Sequence, residues 1–281
     1  MRRKGNVKGY TIGWQLWANA VVPWSVVLDD DLYANYAAHT DEKVGLSIDD
    51  LRTVGAAMKQ IQDKTCIKFK FMEKPVKGQP WLFISRDNRG SDRSCQIAYI
   101  KSNLVGENIN GLGDIYASLK HLPDDHCYPG AYAWSGSASP QNLVISSITL
   151  SPNSQRDIGV VIHELLHNLG LGHTQKRQDA SEHIDIQWAN IKWYKREQYE
   201  EACSANDTSC KIKSQYNTYG TEYDCKSILH YRDTFFITPE AKKMGRKTML
   251  AKKAGCDLSS PTNTLRNSDI DLLKKIYCGK H

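Results

Sequence analysis

The chain has 281 residues, of which 40% are hydrophobic and 24% are charged, and its formal net charge is +6. This composition excludes a mainly disordered protein, because enough apolar residues are present to bury a core. The basic residues are spread along the sequence, so the surplus charge predicts a solvated surface and not a nucleic-acid-binding patch. We therefore expect no nucleic-acid partner. No apolar run is long enough for a transmembrane helix, and so we also expect no membrane association.

Three segments have the apolar spacing of amphipathic helices. Ser47 is the predicted N-cap of the first, with Asp50 facing back toward it. Asp157 is the predicted N-cap of the second helix, which should end at Gly170. The third begins at Ser268. The predicted apolar faces are Leu51, Val54, Met58 and Ile61 in the first helix, Ile158, Val161, Ile162, Leu165, Leu166 and Leu169 in the second, and Ile270, Leu273 and Ile276 in the third.

Runs rich in β-branched and aromatic residues predict strands within 81–85, 96–100 and 142–150. All three precede the second helix, and from His173 onward the pattern is mostly irregular. The sequence therefore predicts an α+β fold, in which a lobe of sheet and helices is followed by a loop-rich lobe held by cysteines.

The cysteines are evenly numbered and widely spaced, which predicts four disulfides and an oxidising, extracellular compartment. None forms a CxxC pair, so a cysteine zinc knuckle or a thioredoxin-like redox motif is not expected. A glycosylation sequon at Asn206 adds weight to secretion. Spacing alone assigns no pair among Cys66, Cys95, Cys127, Cys203, Cys210, Cys225, Cys256 and Cys278.

The stretch HELLHNLGLGHT, residues 163–174, carries the strongest functional signal. His163 and His167 are one helical turn apart, so their imidazoles can reach the same point. Gly170 can adopt the left-handed conformation that turns the chain and returns His173 to that point. Three imidazoles leave one tetrahedral position of Zn²⁺ open to water, which is the arrangement of catalytic and not structural zinc.

Glu164 follows the first histidine directly and is placed to take a proton from water bound to that zinc. The pattern predicts Zn²⁺ as the cofactor, the three histidines as its ligands and Glu164 as the general base of peptide hydrolysis. One alternative is a helix with incidental histidines. Another is zinc bound without catalysis, which would leave Glu164 without a task. Histidines without ligand spacing are predicted to be surface or locally bonded residues: His39, His121, His126, His183 and His281.

The motif HExxHxxGxxH marks the metzincin clan of zinc endopeptidases, and further stretches resemble the astacin family. Arg177 and Asp179 match the astacin extension of the motif. The other matching stretches are LWANAVVPW (16–24), KTCIKF (64–69), SILHY (227–231) and IYCG (276–279), so the resemblance covers nearly the whole chain. It implies a metzincin-like fold: an N-terminal lobe with a twisted mixed sheet and the active-site helix, an irregular C-terminal lobe, and a zinc cleft between them.

The resemblance also implies a single catalytic domain over 1–281. Within it we expect a propeptide remnant or N-terminal extension at about 1–15, an N-terminal lobe at 16–173 and a C-terminal lobe at 174–281. About forty residues near 86–126 have no counterpart in the family pattern. We expect this insertion to form either a flap over the cleft or an additional surface segment.

The family pattern assigns a role to Tyr231. In astacins, the tyrosine two residues after the Met-turn methionine lies near the zinc and stabilises the oxyanion. Leu229 occupies the methionine position, a near-isosteric replacement that should preserve zinc binding. Thr174 stands where members usually carry a Glu that meets the buried amino terminus, and a threonine has no charge to offer an ammonium. Ala180 replaces the last arginine of the motif.

By the same resemblance, Cys66 and Cys278 link the first lobe to the C-terminus, and the basic start MRRKGN resembles the run at which astacin pro-regions are cut. A zymogen is therefore expected. The remaining disulfide pairs follow as Cys95–Cys127 within the insertion, with Cys203–Cys210 and Cys225–Cys256 by locality.

The sequence thus predicts a secreted, monomeric zinc endopeptidase for protein or peptide substrates, which would lie extended along an edge strand within 142–150. One alternative is a protease of another metzincin family, although that would not explain KTCIKF. The other is a catalytically weak or silent astacin-like binding protein or toxin, which Leu229 and Thr174 keep open.

Overall fold

The fold is described from a computed structural model, which describes residues 16–26, 46, 48–72, 81–86, 131–134, 141–145, 150–202, 218–260 and 262–279. The predicted strand within 96–100, the N-terminal extension at 1–15 and the insertion beyond Arg86 lie outside these residues. So do the histidines at 39, 121, 126 and 281. The described residues form two compact units, one before and one after the boundary between Leu169 and Gly170.

The first unit combines a mixed sheet with two helices. Its sheet has the strand order β2-β1-β3-β5-β4, in which β4 runs antiparallel to β5 and the other neighbouring strands are parallel. The elements described in this unit are a 3-10 turn (Ala18–Ala20), β1 (Val21–Val26), α1 (Ile48–Lys64), β2 (Lys68–Phe71), β3 (Leu82–Arg86), β4 (Ala131–Trp134), β5 (Gln141–Ile145) and α2 (Gln155–Asn168). The predicted α+β class and mixed sheet are confirmed.

The strand β5 lies inside the sheet, so the predicted edge strand within 142–150 is wrong. It pairs with β3 on one side and with β4 on the other. Leu143 and Ile145 are fully buried, as expected for a continuous apolar run with neighbours on both sides. Among the described strands, β4 forms the antiparallel edge of this sheet.

Helix α1 confirms the first predicted helix. Val54, Met58 and Ile61 of its apolar seam are buried, while Ser47, the predicted cap, lies outside the described residues. Asp50 is fully buried and accepts a hydrogen bond from the Leu150 N–H at 3.2 Å. This carboxylate therefore fastens the first turn of α1 to the segment that leads into α2.

The second unit is mostly irregular, as predicted. A small core of buried residues around Tyr199 and Met249 holds its turns together. Its elements are 3-10 turns (Thr174–Lys176, Ala180–Glu182, Trp188–Asn190 and Trp193–Tyr199), an antiparallel pair of strands, β6 (Ile184–Ile186) and β7 (Met249–Ala251), the helices α3 (Pro239–Lys243) and α4 (Asn267–Leu273), and a π-helical turn (Lys274–Cys278). Ile270, Leu273 and Ile276 are buried, as predicted for the third helix.

Of the predicted disulfides, the structure confirms Cys225–Cys256, whose Cα atoms are 5.3 Å apart. Cys66 and Cys278 also take part in disulfides. The Cys95–Cys127 and Cys203–Cys210 pairs, and the sequon at Asn206, fall outside the described residues. None of the helices in the described parts is long and apolar enough to span a bilayer.

Candidate metal centre and active site

Helix α2 begins with a side-chain cap that the sequence pattern misplaced. The Ser154 hydroxyl accepts a hydrogen bond from the Asp157 N–H at 3.2 Å, so Ser154, and not Asp157, is the N-cap. The Asp157 carboxylate in turn accepts from the Ser151 N–H at 3.0 Å. A serine followed three residues later by an acidic side chain is the spacing of a capping box, which explains the difference of one turn.

One face of α2 is buried in the core of the first unit. All six predicted apolar residues are at most 7% exposed, whereas His163, Glu164 and His167 are only partly buried. The burial of the apolar face fixes the rotation of the helix about its axis. The two histidines and the glutamate are thereby held on a face with access to solvent.

The C-terminal end of α2 is held by a long-range hydrogen bond. The buried Trp17 donates from Nε1 to the carbonyl of Asn168 at 2.9 Å, which satisfies one of the free carbonyls of the last turn. Gly170 follows with φ of 91°, the left-handed conformation that the sequence predicted. The polypeptide therefore turns away from the helix axis at Gly170, three residues before His173.

The three histidines form a group that could hold a metal ion. One ligand nitrogen from each of His163, His167 and His173 lies within 4.8 Å of the others. The Nε2 atoms of the first two are 3.1 Å apart. Two nitrogens bound to a tetrahedral zinc at about 2.05 Å would be about 3.3 Å apart, so the spacing fits this metal. Imidazole nitrogens are also ordinary zinc ligands.

Glu164 lies one residue after His163 and three before His167 on α2. A spacing of three places helix side chains next to each other on the surface, so Glu164 neighbours the second histidine. Its carboxylate therefore belongs to the same exposed face as the ligands. The assignment of Glu164 as the general base stays a prediction.

Tyr231 lies beside the third histidine. The ring centroids of Tyr231 and His173 are 4.4 Å apart, and both rings are partly buried. The Tyr231 ring also packs against Phe235 at 4.8 Å and Phe236 at 5.6 Å. Its N–H donates to the Gln175 side chain at 3.2 Å. The predicted oxyanion-binding tyrosine is thus adjacent to a predicted ligand.

His230 is a site residue that the spacing argument missed. Its Nδ1 lies 2.7 Å from the carbonyl oxygen of Tyr231, and because that oxygen only accepts, Nδ1 carries the hydrogen. Its Nε2 then accepts from the Tyr223 hydroxyl at 2.8 Å. Burial lowers the pKa of His230 to about 4, so the ring is neutral at pH 7. Its place within SILHY, next to Tyr231, was the signal available in the sequence.

Arg177 and Asp179 form a paired contact in the second unit. Arg177 is 6% exposed and donates from Nε and one Nη to the two oxygens of Asp179 at 2.9 and 2.8 Å. It also donates to the carbonyls of Thr221 and Glu222. Burial raises the pKa of Asp179, but the hydrogen bond and charge of Arg177 outweigh this and hold it below its usual value. This pair ties the segment after His173 to residues 221–222.

His183 is locally bonded, as predicted. Its ring stacks on Tyr223 with the centroids 4.3 Å apart and the planes 9° from parallel. It therefore belongs to the packing of the second unit and is not one of the residues in the three-histidine group.

The three departures from the family pattern, at Leu229, Thr174 and Ala180, are all buried. Leu229 is 2% exposed, which suits the hydrophobic role expected of it, and its carbonyl accepts from the Thr174 N–H at 3.0 Å. Thr174 is 7% exposed, and its hydroxyl donates to Ser227 at 3.0 Å.

Comparison with known proteins finds zinc metalloproteinases among the relatives of this chain. The chain is similar to zinc metalloproteinase nas-10 of Caenorhabditis elegans, at 26% identity over 82% of this chain and 33% of that protein. It is also similar to nas-11 of the same organism, at 28% identity over 83% of this chain and 31% of that protein. The chain thus spans about a third of the length of these relatives.

A solved structure supports the fold. High choriolytic enzyme 1, a hatching enzyme zinc-protease of the medaka fish Oryzias latipes, matches with a TM-score of 0.55 and 17% identity, covering 95% of this chain and 94% of that chain. The likeness confirms the metzincin-type α+β fold.

The model of the Astacin peptidase family matches residues 132–278, a range that contains the histidine motif and Tyr231. Members of this family use Zn²⁺, which is the metal that the three-histidine group fits. The match covers 147 of the 281 residues, and the chain belongs to the astacin family of zinc metallopeptidases.

Proposed function

We propose that this chain is a secreted zinc endopeptidase that hydrolyses internal peptide bonds of protein substrates. The observation that carries the proposal is the convergence of the three histidine nitrogens within 4.8 Å, with Glu164 beside them on α2. A structural zinc site would use four protein ligands and would give Glu164 no task. Three ligands and a neighbouring carboxylate match a catalytic site.

The chain's own residues would divide the chemistry between them. Zn²⁺, when bound, supplies a Lewis acid that lowers the pKa of a water ligand to about 7 and polarises a carbonyl. Glu164 takes a proton from the attacking water and passes it to the leaving amine. The Tyr231 phenol, 4.4 Å ring to ring from His173, donates a hydrogen bond to the oxyanion that forms during attack.

The substrate would bind as an extended strand. Strand β4 is the antiparallel edge among the described strands of the sheet, and the peptide would pair with its outer backbone groups. Helix α2 packs against β4 within the first unit. Such pairing would hold the peptide backbone without selecting particular side chains, which suits an enzyme that acts on protein chains.

The setting of the enzyme is part of the proposal. The disulfides favour an oxidising compartment, hence secretion. We expect a single catalytic domain, with lobes divided near His173, that is made as a zymogen and acts as a monomer without nucleic-acid or membrane partners. Light scattering of the purified protein would measure the oligomeric state.

The experiment is the substitution Glu164→Ala, followed by zinc analysis and a casein or gelatin cleavage assay. Because Glu164 is not a ligand, the variant should bind one zinc per chain as the wild type does. Loss of the general base should lower kcat/KM by about 10²–10⁴-fold. Glu182→Ala, at an exposed acidic residue of the same chain, is the matched control and should cleave at the wild-type rate.

A zinc-loaded wild type that cleaves no substrate in a peptide library would contradict the proposal and favour the silent binding protein. Full activity in Glu164→Ala would contradict the assigned base. A chelator should abolish cleavage by the wild type, and added zinc should restore it.

A further inference from the structure

Three buried hydroxyl and carboxyl groups of the second unit form a continuous chain of hydrogen bonds. They belong to Thr174, Ser227 and Asp269, which are 7%, 6% and 4% exposed. Thr174 directly follows the third histidine. Ser227 opens the turn that ends at Tyr231, and Asp269 lies in α4. These hydrogen bonds therefore connect two parts of the candidate site with α4, a helix that contributes no residue to that site.

The donors and acceptors of this chain are fixed by chemistry. Thr174 Oγ1 donates to Ser227 Oγ at 3.0 Å, and Ser227 Oγ donates to Asp269 Oδ1 at 2.6 Å. Ser227 Oγ also accepts from the Leu229 N–H at 3.1 Å. A hydroxyl has one donor and two acceptor positions, so the capacity of Ser227 is used completely. Replacing Thr174 or Asp269 by an apolar residue would leave the Ser227 hydroxyl without one of its hydrogen-bond partners.

Asp269 is the fixed end of the chain. Its second oxygen accepts from the Arg266 N–H at 3.0 Å and from the Ile228 N–H at 3.4 Å. Every partner of this carboxylate donates, so the carboxylate binds the start of α4 and the turn at once. A buried polar network with all its members satisfied favours one geometry over its alternatives.

The turn is also joined to the residues after His173 through the backbone. The Thr174 N–H donates to the Leu229 carbonyl at 3.0 Å, and the Tyr231 N–H donates to the Gln175 side chain at 3.2 Å. Together with the side-chain contact between Thr174 and Ser227, these bonds hold the turn at three points. Hydrogen bonds from the turn to Thr174 and Gln175, the two residues after His173, therefore define the position of the Tyr231 ring beside His173.

We propose that Thr174, Ser227 and Asp269 are positioning residues of the active site, which fix the Ser227–Tyr231 turn to the residue after the third histidine and so set the place of the Tyr231 hydroxyl. The inference rests on the proposed function, in which that hydroxyl binds the oxyanion. It assigns Thr174 the task of fastening the turn that carries Tyr231.

The first test compares Thr174→Val, which keeps the shape but removes the hydroxyl, with Thr174→Ser, which keeps the hydroxyl. A displaced oxyanion donor should lower kcat about tenfold with KM within about twofold. Thr174→Ser should retain kcat within about twofold. Thr248→Val is the control, because Thr248 is also a buried threonine of the second unit and takes no part in this chain. Wild-type kcat in Thr174→Val would overturn the proposal.

A double-mutant cycle separates positioning from general destabilisation. If Thr174 acts through Tyr231, then Thr174→Val should lower kcat by less than about twofold in a Tyr231→Phe background. An equal loss in both backgrounds would overturn the proposal, since the effect would then not depend on the Tyr231 hydroxyl.

Amide hydrogen exchange of the zinc-free protein supplies a readout that needs no activity. Ser227→Ala removes the acceptor of the Leu229 N–H, and exchange of that amide should become at least about tenfold faster, while Thr248→Val leaves it unchanged. Unchanged exchange in Ser227→Ala would overturn the proposed fastening of the turn even in an active enzyme. An inactive wild type with the expected exchange pattern would instead contradict the proposed function alone.

Discussion

Helix α2 and the Ser227–Tyr231 turn hold their functional side chains by different means. Six apolar residues of α2 and its C-cap are buried in the core of the first unit, and the one-turn spacing of His163 and His167 follows from helix geometry. In the turn, hydrogen bonds among Thr174, Ser227 and Asp269 take the place of a regular element.

The difference lies in how each region responds to the loss of one group. Removing an apolar side chain from α2 leaves a cavity but leaves the helical spacing of the histidines intact. Removing one member of the polar chain leaves its partners buried without a hydrogen bond, which costs about 1–3 kcal/mol per group and frees the turn to move. We therefore expect α2 variants to change stability mainly and turn variants to change catalysis mainly.

The largest stability effect is expected for Leu165→Ala on the buried face of α2. Leu165 is fully buried, so the truncation should lower the free energy of unfolding by about 2–5 kcal/mol. The folded fraction of the variant should still bind zinc, because the histidine spacing is unchanged. Urea denaturation followed by circular dichroism, with zinc titration of the native variant, measures both quantities.

Arg156→Ala is the control for this variant. Arg156 is exposed on the same helix, and its removal should change the free energy of unfolding by less than about 0.5 kcal/mol. A Leu165→Ala variant as stable as Arg156→Ala would contradict the packing of the α2 face.

The second-largest effect is expected in the pH dependence of the free energy of unfolding, through the buried carboxylate of Asp269. Burial raises the pKa of Asp269 to about 6, against the hydrogen bonds from Ser227 and two backbone N–H groups. At pH values between the usual pKa of an aspartate and about 6, Asp269 is protonated in the folded protein but ionised in the unfolded chain. The free energy of unfolding should therefore fall, by at most about 3 kcal/mol, as pH rises from about 4 to about 6.

Asp269→Asn isolates this contribution, because asparagine does not titrate. The neighbouring charged groups are Arg177, Glu222, Asp224 and Arg266, which the variant retains. Urea denaturation at pH 4, 5 and 6 should show a smaller decline for the variant than for the wild type. Equal declines would mean that Asp269 is not the group responsible.

The smallest effect is expected at the start of α2. Ser154→Ala removes the side chain that accepts from the Asp157 N–H, and the free energy of unfolding should fall by about 1 kcal/mol. Ser154→Asp keeps a capping oxygen and should retain most of the stability. Thermal unfolding of the two variants checks this, and a fully stable Ser154→Ala would contradict the observed cap.

Periodicity explains which parts of the structure could be predicted. The buried faces of α1 and α2, the ligand spacing and the left-handed Gly170 follow from a repeat of 3.6 residues and from the freedom of glycine. The family resemblance added Tyr231, whose residue type and neighbours alone would not have distinguished it. These features depend on residues that are close in sequence or belong to a known motif.

The features that were wrong or missed depend on distant pairing. Strand β5 became an interior strand because β4 adds to the sheet beside it, and strand order is not encoded in a short apolar run. Ser227 and Asp269 are separated by 42 positions, and no spacing rule brings a serine and an aspartate together over that distance. His230 was passed over because its partners, Tyr223 and a carbonyl, form no recognisable pattern.

X-ray absorption spectroscopy at the zinc edge, on the zinc-loaded full chain, tests the central claim most directly. The three-histidine site predicts three imidazole nitrogens at about 2.0–2.1 Å, with oxygen completing the coordination and no sulfur. Sulfur at about 2.3 Å, or fewer than three imidazoles, would contradict the site and with it the proposed peptidase chemistry.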